Sequence, residues 1–167
     1  MAEVDKIYDG KVVHGGTFDF KGVYSFLHEW LSDENGYAVI EKKYSEKIKG
    51  DSKDIEIEWE CYKKVNDYFR LKLKVKTRVI GLTNVEVQEN GVKKKMNKGE
   101  IEVKMDGFLE KDYENKWEEN AFMKLMRGVY DKFIVKNRIE QYEDKIVGDI
   151  DGTLAQVKSF LFLEAKR

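Results

Sequence analysis

Proline is absent from this 167-residue chain, cysteine occurs once and histidine twice. A single thiol, Cys61, cannot form an internal disulfide, and no set of metal ligands surrounds it. Neither a disulfide framework nor a metal site is therefore expected, and the natural expectation is a reducing, cytoplasmic compartment. Net charge is also lacking, because 31 Lys and Arg stand against 32 Asp and Glu. The chain has no overall pull toward phosphate backbones or anionic lipid, and any such binding needs a local patch. No run of about 18 uncharged apolar residues occurs, so no membrane-crossing helix is expected. The acidic opening Met1-Ala2-Glu3-Val4-Asp5 is unlike a signal peptide. Repeats, low-complexity stretches and Gly/Ser linkers are missing too, so function is sought in one folded unit and not in a tail or hinge.

What is present suits a single globular domain spanning 1–167. Hydrophobic residues make up 41% and aromatics 13%, enough to offset folding entropy despite 38% charged residues. The Lys and Glu richness suits an AT-rich genome or a heat-adapted source.

Residues 11–35 read as a strand and a helix. Lys11 to Phe18 is extended, with Gly15 and Gly16 suggesting a bulge. From Asp19 as N-cap, Phe20, Val23, Tyr24, Leu27, Trp30 and Leu31 recur at helical spacing until Asn35-Gly36.

Between 37 and 112 the period changes to two, broken by turn signals at Gly50-Asp51-Ser52, Asn66-Asp67, Asn90-Gly91 and Asn97-Lys98-Gly99. Ile55, Ile57, Trp59 and Cys61 alternate with Glu56, Glu58, Glu60 and Tyr62, and Phe69, Leu71, Leu73 and Val75 alternate with Arg70, Lys72, Lys74 and Lys76. Each strand has a dry and a charged face. A three-residue loop, Val65-Asn66-Asp67, predicts Trp59 opposite Leu73, with Glu60, Glu58 and Glu56 facing Lys72, Lys74 and Lys76. The Asn90-Gly91 hairpin predicts Val87 opposite Lys94 and Val85 opposite Met96. Ile101, Val103, Met105 and Leu109 resume the alternation.

Residues 118–166 return to helical period through Phe122, Leu125, Met126, Val129, Tyr130 and Phe133, then Ile139, Tyr142, Ile146, Ile150, Leu154, Val157 and Leu161. Gly148 and Gly152 predict a break or kink. The fold class that follows is α+β: a curved antiparallel sheet of about six to seven strands against a C-terminal helical segment, with one short N-terminal helix.

Candidate chemistry is sparse. Asp149-Ile150-Asp151-Gly152-Thr153-Leu154 resembles the nucleophile loop of haloacid-dehalogenase-like phosphatases, in which the first Asp attacks phosphate. That family places the loop after the first strand of a parallel sheet, whereas this copy follows an antiparallel one near the chain's end. The alternative is a helix restart capped by Asp149 or Asp151. His14-Gly15-Gly16 is faintly like an esterase oxyanion stretch, without a Gly-x-Ser-x-Gly elbow. His28 has no histidine partner one turn away. Cys61, on a dry face, is expected to be an inert core thiol. No isolated carboxylate pair stands out for acid/base work. Lys93-Lys94-Lys95 and the basic residues from Arg70 to Arg78 could form a phosphate-binding stripe, but neutral charge and facing glutamates favour an ion-paired surface, so nucleic acid is not expected.

The order of elements, covering nearly the whole chain, resembles the START-like (SRPBCC) helix-grip superfamily, in which a curved antiparallel sheet wraps a long C-terminal helix. The resemblance is one of topology and carries no functional residues over. It implies an apolar cavity between sheet and helix, used in that superfamily for lipids, hydrophobic small molecules or occasionally cyclisation and hydrolysis; the expectation here is a hydrophobic small molecule or lipid bound without catalysis. The lining would be Trp59, Phe69, Leu71, Leu73, Ile101, Val103 and Met105, which suit a filled core equally well. The alternative is a protein-protein interaction or assembly module using the C-terminal helices and carrying no ligand cavity. An enzyme ranks last; no catalytic residue, metal or cofactor is expected.

Overall fold

A computed structural model describes residues 3–115, 121–130, 132 and 136–165, leaving aside the side chains at 137, 164 and 165. Strand β1 (Glu3–Phe18) leads into helix α1 (Phe20–Glu29), which is extended by a π-helical turn, Trp30–Glu34. Strands β2 (Ala38–Lys49), β3 (Ser52–Lys64), β4 (Phe69–Glu89) and β5 (Val92–Lys111) follow, then helices α2 (Ala121–Val129) and α3 (Lys136–Ala165). The strands form one antiparallel sheet in the order β1-β5-β4-β3-β2.

The sheet has five strands, not six or seven, because β4 and β5 run on where a turn was expected. Asn97-Lys98-Gly99 lies within β5, where Asn97 faces Asn84 and Lys98 faces Thr83. The bend is a bulge in β4 at Gly81, whose φ of 65° suits glycine. Gly99 faces that bulge closely: a Cβ there would lie 2.9 Å from the Ile80 carbonyl oxygen.

The expected pairing of β3 with β4 is off by two. Trp59 faces Val75 and Cys61 faces Leu73. Between the paired Lys64 and Arg70 the connection takes in Tyr68 and Phe69 as well, held by the Asn66 side-chain oxygen, which accepts from both Tyr68 N (2.8 Å) and Phe69 N (2.7 Å). A slip of two preserves which face is dry. The charge pairing survives with shifted partners, Glu58 facing Lys76 and Glu60 facing Lys74. At Asn90-Gly91, with φ of 53° and 79°, the hairpin register is as expected: Val87 faces Lys94 and Val85 faces Met96.

Near the start, β1 extends back to Glu3, and its irregularity falls between Lys6 and Tyr8, not at Gly15 and Gly16, which pair regularly with Glu100 and Gly99. Asp19 holds the N-cap position through its carbonyl, which accepts from Val23 N, but its carboxylate makes no capping bond. Phe20 N donates instead to Asn97 Oδ1 at 3.0 Å, tying α1 to β5.

One long helix, α3, passes through Gly148 and Gly152 without a break. Both glycines are exposed with nothing near their Cβ positions. The opposite face buries Ile146, Ile150, Leu154, Val157 and Leu161, each contributing roughly 1.5 to 3 kcal/mol against about 1 kcal/mol lost per helical glycine. Positions 118–120, 131, 133–135 (with Phe133 of the expected stripe) and 166 lie outside the described residues.

Helices α3 and α1 lie side by side on the dry face, joined by stacking of Phe26 on Phe160 at 5.2 Å. Two glycines let α3 settle onto β1 and β5. A Cβ on Gly107 would overlap Ile146 and come within 2.7 Å of Ile150, and one on Gly10 would come within 2.8 Å of Leu154. The other face carries ion pairs such as Lys76 with Glu56 (3.1 Å) and Lys6 with Asp106 (3.3 Å).

Candidate functional site

All seven proposed lining residues belong to one buried cluster. Phe69, Leu71, Leu73, Ile101, Val103 and Met105 are at most 1% exposed, and Phe69 meets Tyr142 of α3 at 5.2 Å. Trp59, expected under the C-terminal helix, instead packs against α1, edge-on to Tyr24 (5.2 Å) and His28 (5.6 Å). The pattern predicted burial but not which helix covers each strand.

The phosphatase-like loop dissolves into the middle of α3, so neither a nucleophile loop nor a helix cap forms there. Asp149 Oδ2 accepts from the buried hydroxyl of Tyr37 (2.8 Å), and Asp149 Oδ1 takes Lys145 Nζ (2.8 Å). Asp151 accepts from Tyr8 of β1 at 2.7 Å. The two carboxylates are thus struts joining α3 to the sheet. Burial, then the neighbouring Asp149 charge, pushes the Tyr37 phenol far above its usual range, keeping it a neutral donor. Burial likewise pushes the Cys61 thiol up to about 12, as its dry-face position implied.

His14 stands edge-on to Phe18 on β1, while His28 lies on α1 against Trp59. Arg70 is sandwiched between the rings of Tyr62 (4.3 Å) and Tyr113 (5.0 Å) and donates to Glu110 (2.6 Å). Lys95, Lys94 and Lys93 face Glu86, Val87 and Gln88 across the hairpin. Among the described residues no group of three or more His, Cys, Asp or Glu side chains could hold a metal ion.

Helix α2 is oriented contrary to the ordinary rule for amphipathic helices, which bury the apolar stripe. Phe122 (67% exposed), Leu125 (65%), Met126 and Val129 face solvent, whereas Arg127 is only 7% exposed. Arg127 anchors the helix: its guanidinium lies 3.1 Å from Glu3 and 3.7 Å from Asp112, and its Nε donates to Tyr68 Oη at 3.2 Å. Tyr130 packs edge-on to Tyr68 at 5.4 Å. Four apolar residues at i, i+3, i+4 and i+7 stay on the outside. Sequence periodicity found this stripe but could not tell inward from outward, and the sole cue to its direction is Arg127 on its back.

A second feature is an open groove at the far end of the sheet. One hollow of about 620 Å³ lies between the start of α1 and the β4–β5 hairpin, over Phe20, Leu82, Val85 and Met96. A neighbouring hollow of about 310 Å³ continues it along Tyr24 and Tyr44, sharing Phe20, Lys21 and Lys53. Asp19, Lys21, Glu86 and Lys95 give it a rim of both signs.

No protein-family model, curated protein or solved structure matches the chain. Among the described residues no helix is long and apolar enough to cross a membrane.

Proposed function

We propose that this chain is an interaction module whose docking element is the outward stripe of α2. One observation carries this reading: the arginine of α2 is buried and its Phe, Leu, Met and Val side chains are exposed. Exposing them costs free energy in the isolated chain, at roughly 25 cal/mol per Å² of apolar surface, and that free energy is recovered when a partner covers them. Their spacing is the one by which a helix fills a hydrophobic groove of another protein. A protein groove fits better than a lipid surface. The helix has nine residues, and its arginine points into the protein, not toward a headgroup layer.

The test is photo-crosslinking from Phe122 in the native cell, with exposed Lys104 of the charged face as control. A discrete protein adduct from position 122 and none from 104 is expected. Equal or absent crosslinking would overturn the reading, and adducts to lipid alone would reassign the stripe to a membrane surface.

A ligand-binding function is the second reading, and a helix-grip kinship belongs with it. The long C-terminal helix on an antiparallel sheet and the wholly apolar cluster beneath it support that view. A ligand beneath α3 must lift that helix from Gly10 and Gly107, where it is closely seated. Native mass spectrometry of freshly purified protein tests this: a bound lipid or apolar molecule is expected, and its consistent absence would overturn the ligand reading.

A further inference from the structure

The sheet has two outer strands, β1 and β2, and they are built differently. Strand β2 carries Lys42, Lys43, Lys47 and Lys49, with an irregularity between Glu41 and Lys43. Lysines and bulges are the ordinary means of keeping an edge from pairing. Antiparallel pairing of β2 with a second β2 about Ser45, Glu46 or Lys47 sets lysine against lysine in each case. Strand β1 lacks that protection. Its irregularity lies between Lys6 and Tyr8, and the regular stretch from Tyr8 to Phe18 holds one lysine, Lys11, and one carboxylate, Asp9.

The charges of β1 are mismatched within the chain. Lys11 stands directly opposite Lys104 of β5, with Lys76 of β4 next in the same row, and Asp9 stands opposite Asp106. Like charges directly opposite one another are destabilising. Lys6 reaches both carboxylates, Asp9 at 3.0 Å and Asp106 at 3.3 Å. Lys11 and Lys104 are exposed and have no ion-pair partner among the described residues.

We propose that β1 pairs antiparallel with β1 of a second copy of this chain, across a two-fold axis at Gly10, joining the two sheets into one. This inference stands apart from the docking role of α2. In that register Asp9 faces Lys11 of the second copy and Lys11 faces its Asp9, so each row of like charges ends on the opposite sign. Gly10 faces Gly10 and Tyr8 faces Val12. Past the irregularity Val13 faces Lys6 and His14 faces Asp5, and no like charges meet.

The helical layer fits the same axis. Helix α3 is seated over Gly10 of β1 and Gly107 of β5, between neighbouring strands about 4.8 Å apart. Adding a second β1 beyond the first sets the two α3 helices roughly 10 Å apart, close to the 8–10 Å at which helices pack. Asp151 marks the β1 side of α3 by its bond to Tyr8, and one turn to either side of it stand Val147 and Ala155, neither of them bulky or charged. A paired edge of roughly 45 Å with a helix about 10 Å wide beside it gives a contact on the order of the roughly 800 Å² per partner of a stable interface. Such a contact joins a surface to itself and closes at two copies.

Sedimentation of the full chain over a wide range of concentration, with backbone amide exchange, tests the proposal. Wild-type protein is expected to reach twice its 19.7 kDa mass and no more, and the amides of Tyr8 to Phe18 are expected to slow as it does so while those of β2 stay unchanged. Lys11→Asp and Asp9→Lys each set like charges across the axis, and each alone is expected to weaken the dimer about tenfold or more. Their equimolar mixture is expected to regain it, since one copy then presents two carboxylates and the other two lysines. The chain carrying both substitutions is expected to regain it as well. Both side chains are exposed, and circular dichroism checks folding; Val13→Lys, which faces Lys6 across the axis, is the further variant should either one unfold.

A wild type that stays monomeric at every concentration would overturn the pairing. A dimer indifferent to the charges at positions 9 and 11, or one that protects β2 in place of β1, would overturn it in favour of another surface. Growth beyond two copies would contradict a closed two-fold contact.

Discussion

Arg127 Nη2 lies 3.1 Å from Glu3 Oε1, so the first described residue of β1 holds down a helix more than a hundred positions later. The same guanidinium approaches Asp112, 1% exposed, and takes the hydroxyl of Tyr68 through Nε. This polar anchor, in place of apolar burial, orients α2. Arg127→Met is expected to lower stability by roughly 1 to 3 kcal/mol, since it withdraws hydrogen bonds and countercharge from partly or wholly buried groups. Amide exchange should rise across Ala121–Val129 before it rises in β4 or β5. A variant whose α2 amides stay as protected as wild type would show that the anchor does not hold the helix.

Glycines at two kinds of site should respond with opposite signs. At Gly107 an added methyl overlaps Ile146, so Gly107→Ala is expected to cost about 1 to 3 kcal/mol or more in denaturant unfolding. Gly148 lies on the open side of α3, and Gly148→Ala is expected to stabilise by about 0.5 to 1 kcal/mol. Destabilisation at Gly148 would mean that a hidden contact covers that face.

Much of this was legible in advance, and the failures have identifiable causes. Alternation along Ile55 to Cys61 and Phe69 to Val75 predicted the dry face, because side-chain direction depends on parity alone. Register depends on the loop, and Asn66, binding two successive backbone N–H groups, holds a connection two residues longer than spacing could reveal. Asn97 looked like a turn residue, but its side chain serves Phe20 N from within a strand. Gly148 and Gly152 read as a break although Ile146, Ile150, Leu154, Val157 and Leu161 keep helical spacing across them, and burial of that stripe outweighs the propensity cost of two glycines. The direction of α2 depended on Glu3, Tyr68 and Asp112, contacts that no local pattern contains.

The phenols of Tyr24, Tyr44 and Tyr62 are each pushed up to about 12, chiefly by burial, and that of Tyr37 is pushed higher still. Each folded-state value lies above the unfolded value of about 10. Their contribution to stability is therefore complete below pH 10 and is lost as pH rises through 12. Phenolate absorbance should appear together with loss of structure in an alkaline titration, and Tyr37→Phe should weaken the protein by about 1 to 3 kcal/mol at neutral pH by removing the bond to Asp149. Reversible ionisation of Tyr37 near pH 10 in folded protein would contradict its burial.

Cys61 is wholly buried and its thiol is held at about 12. It should remain unmodified by a disulfide reagent at pH 8 and react stoichiometrically once the chain is unfolded. Rapid reaction of native protein would place the thiol outside the core.

Met126, 41% exposed on the α2 stripe, and Met105, fully buried, make internal reporters of the central claim. Peptide-resolved oxidation with dilute peroxide should modify Met126 quickly in dilute protein and leave Met105 untouched. With a captured partner bound, Met126 should be protected several-fold with Met105 unchanged. Met126 as slow as Met105 in the dilute monomer would place the stripe inside the fold and contradict the account.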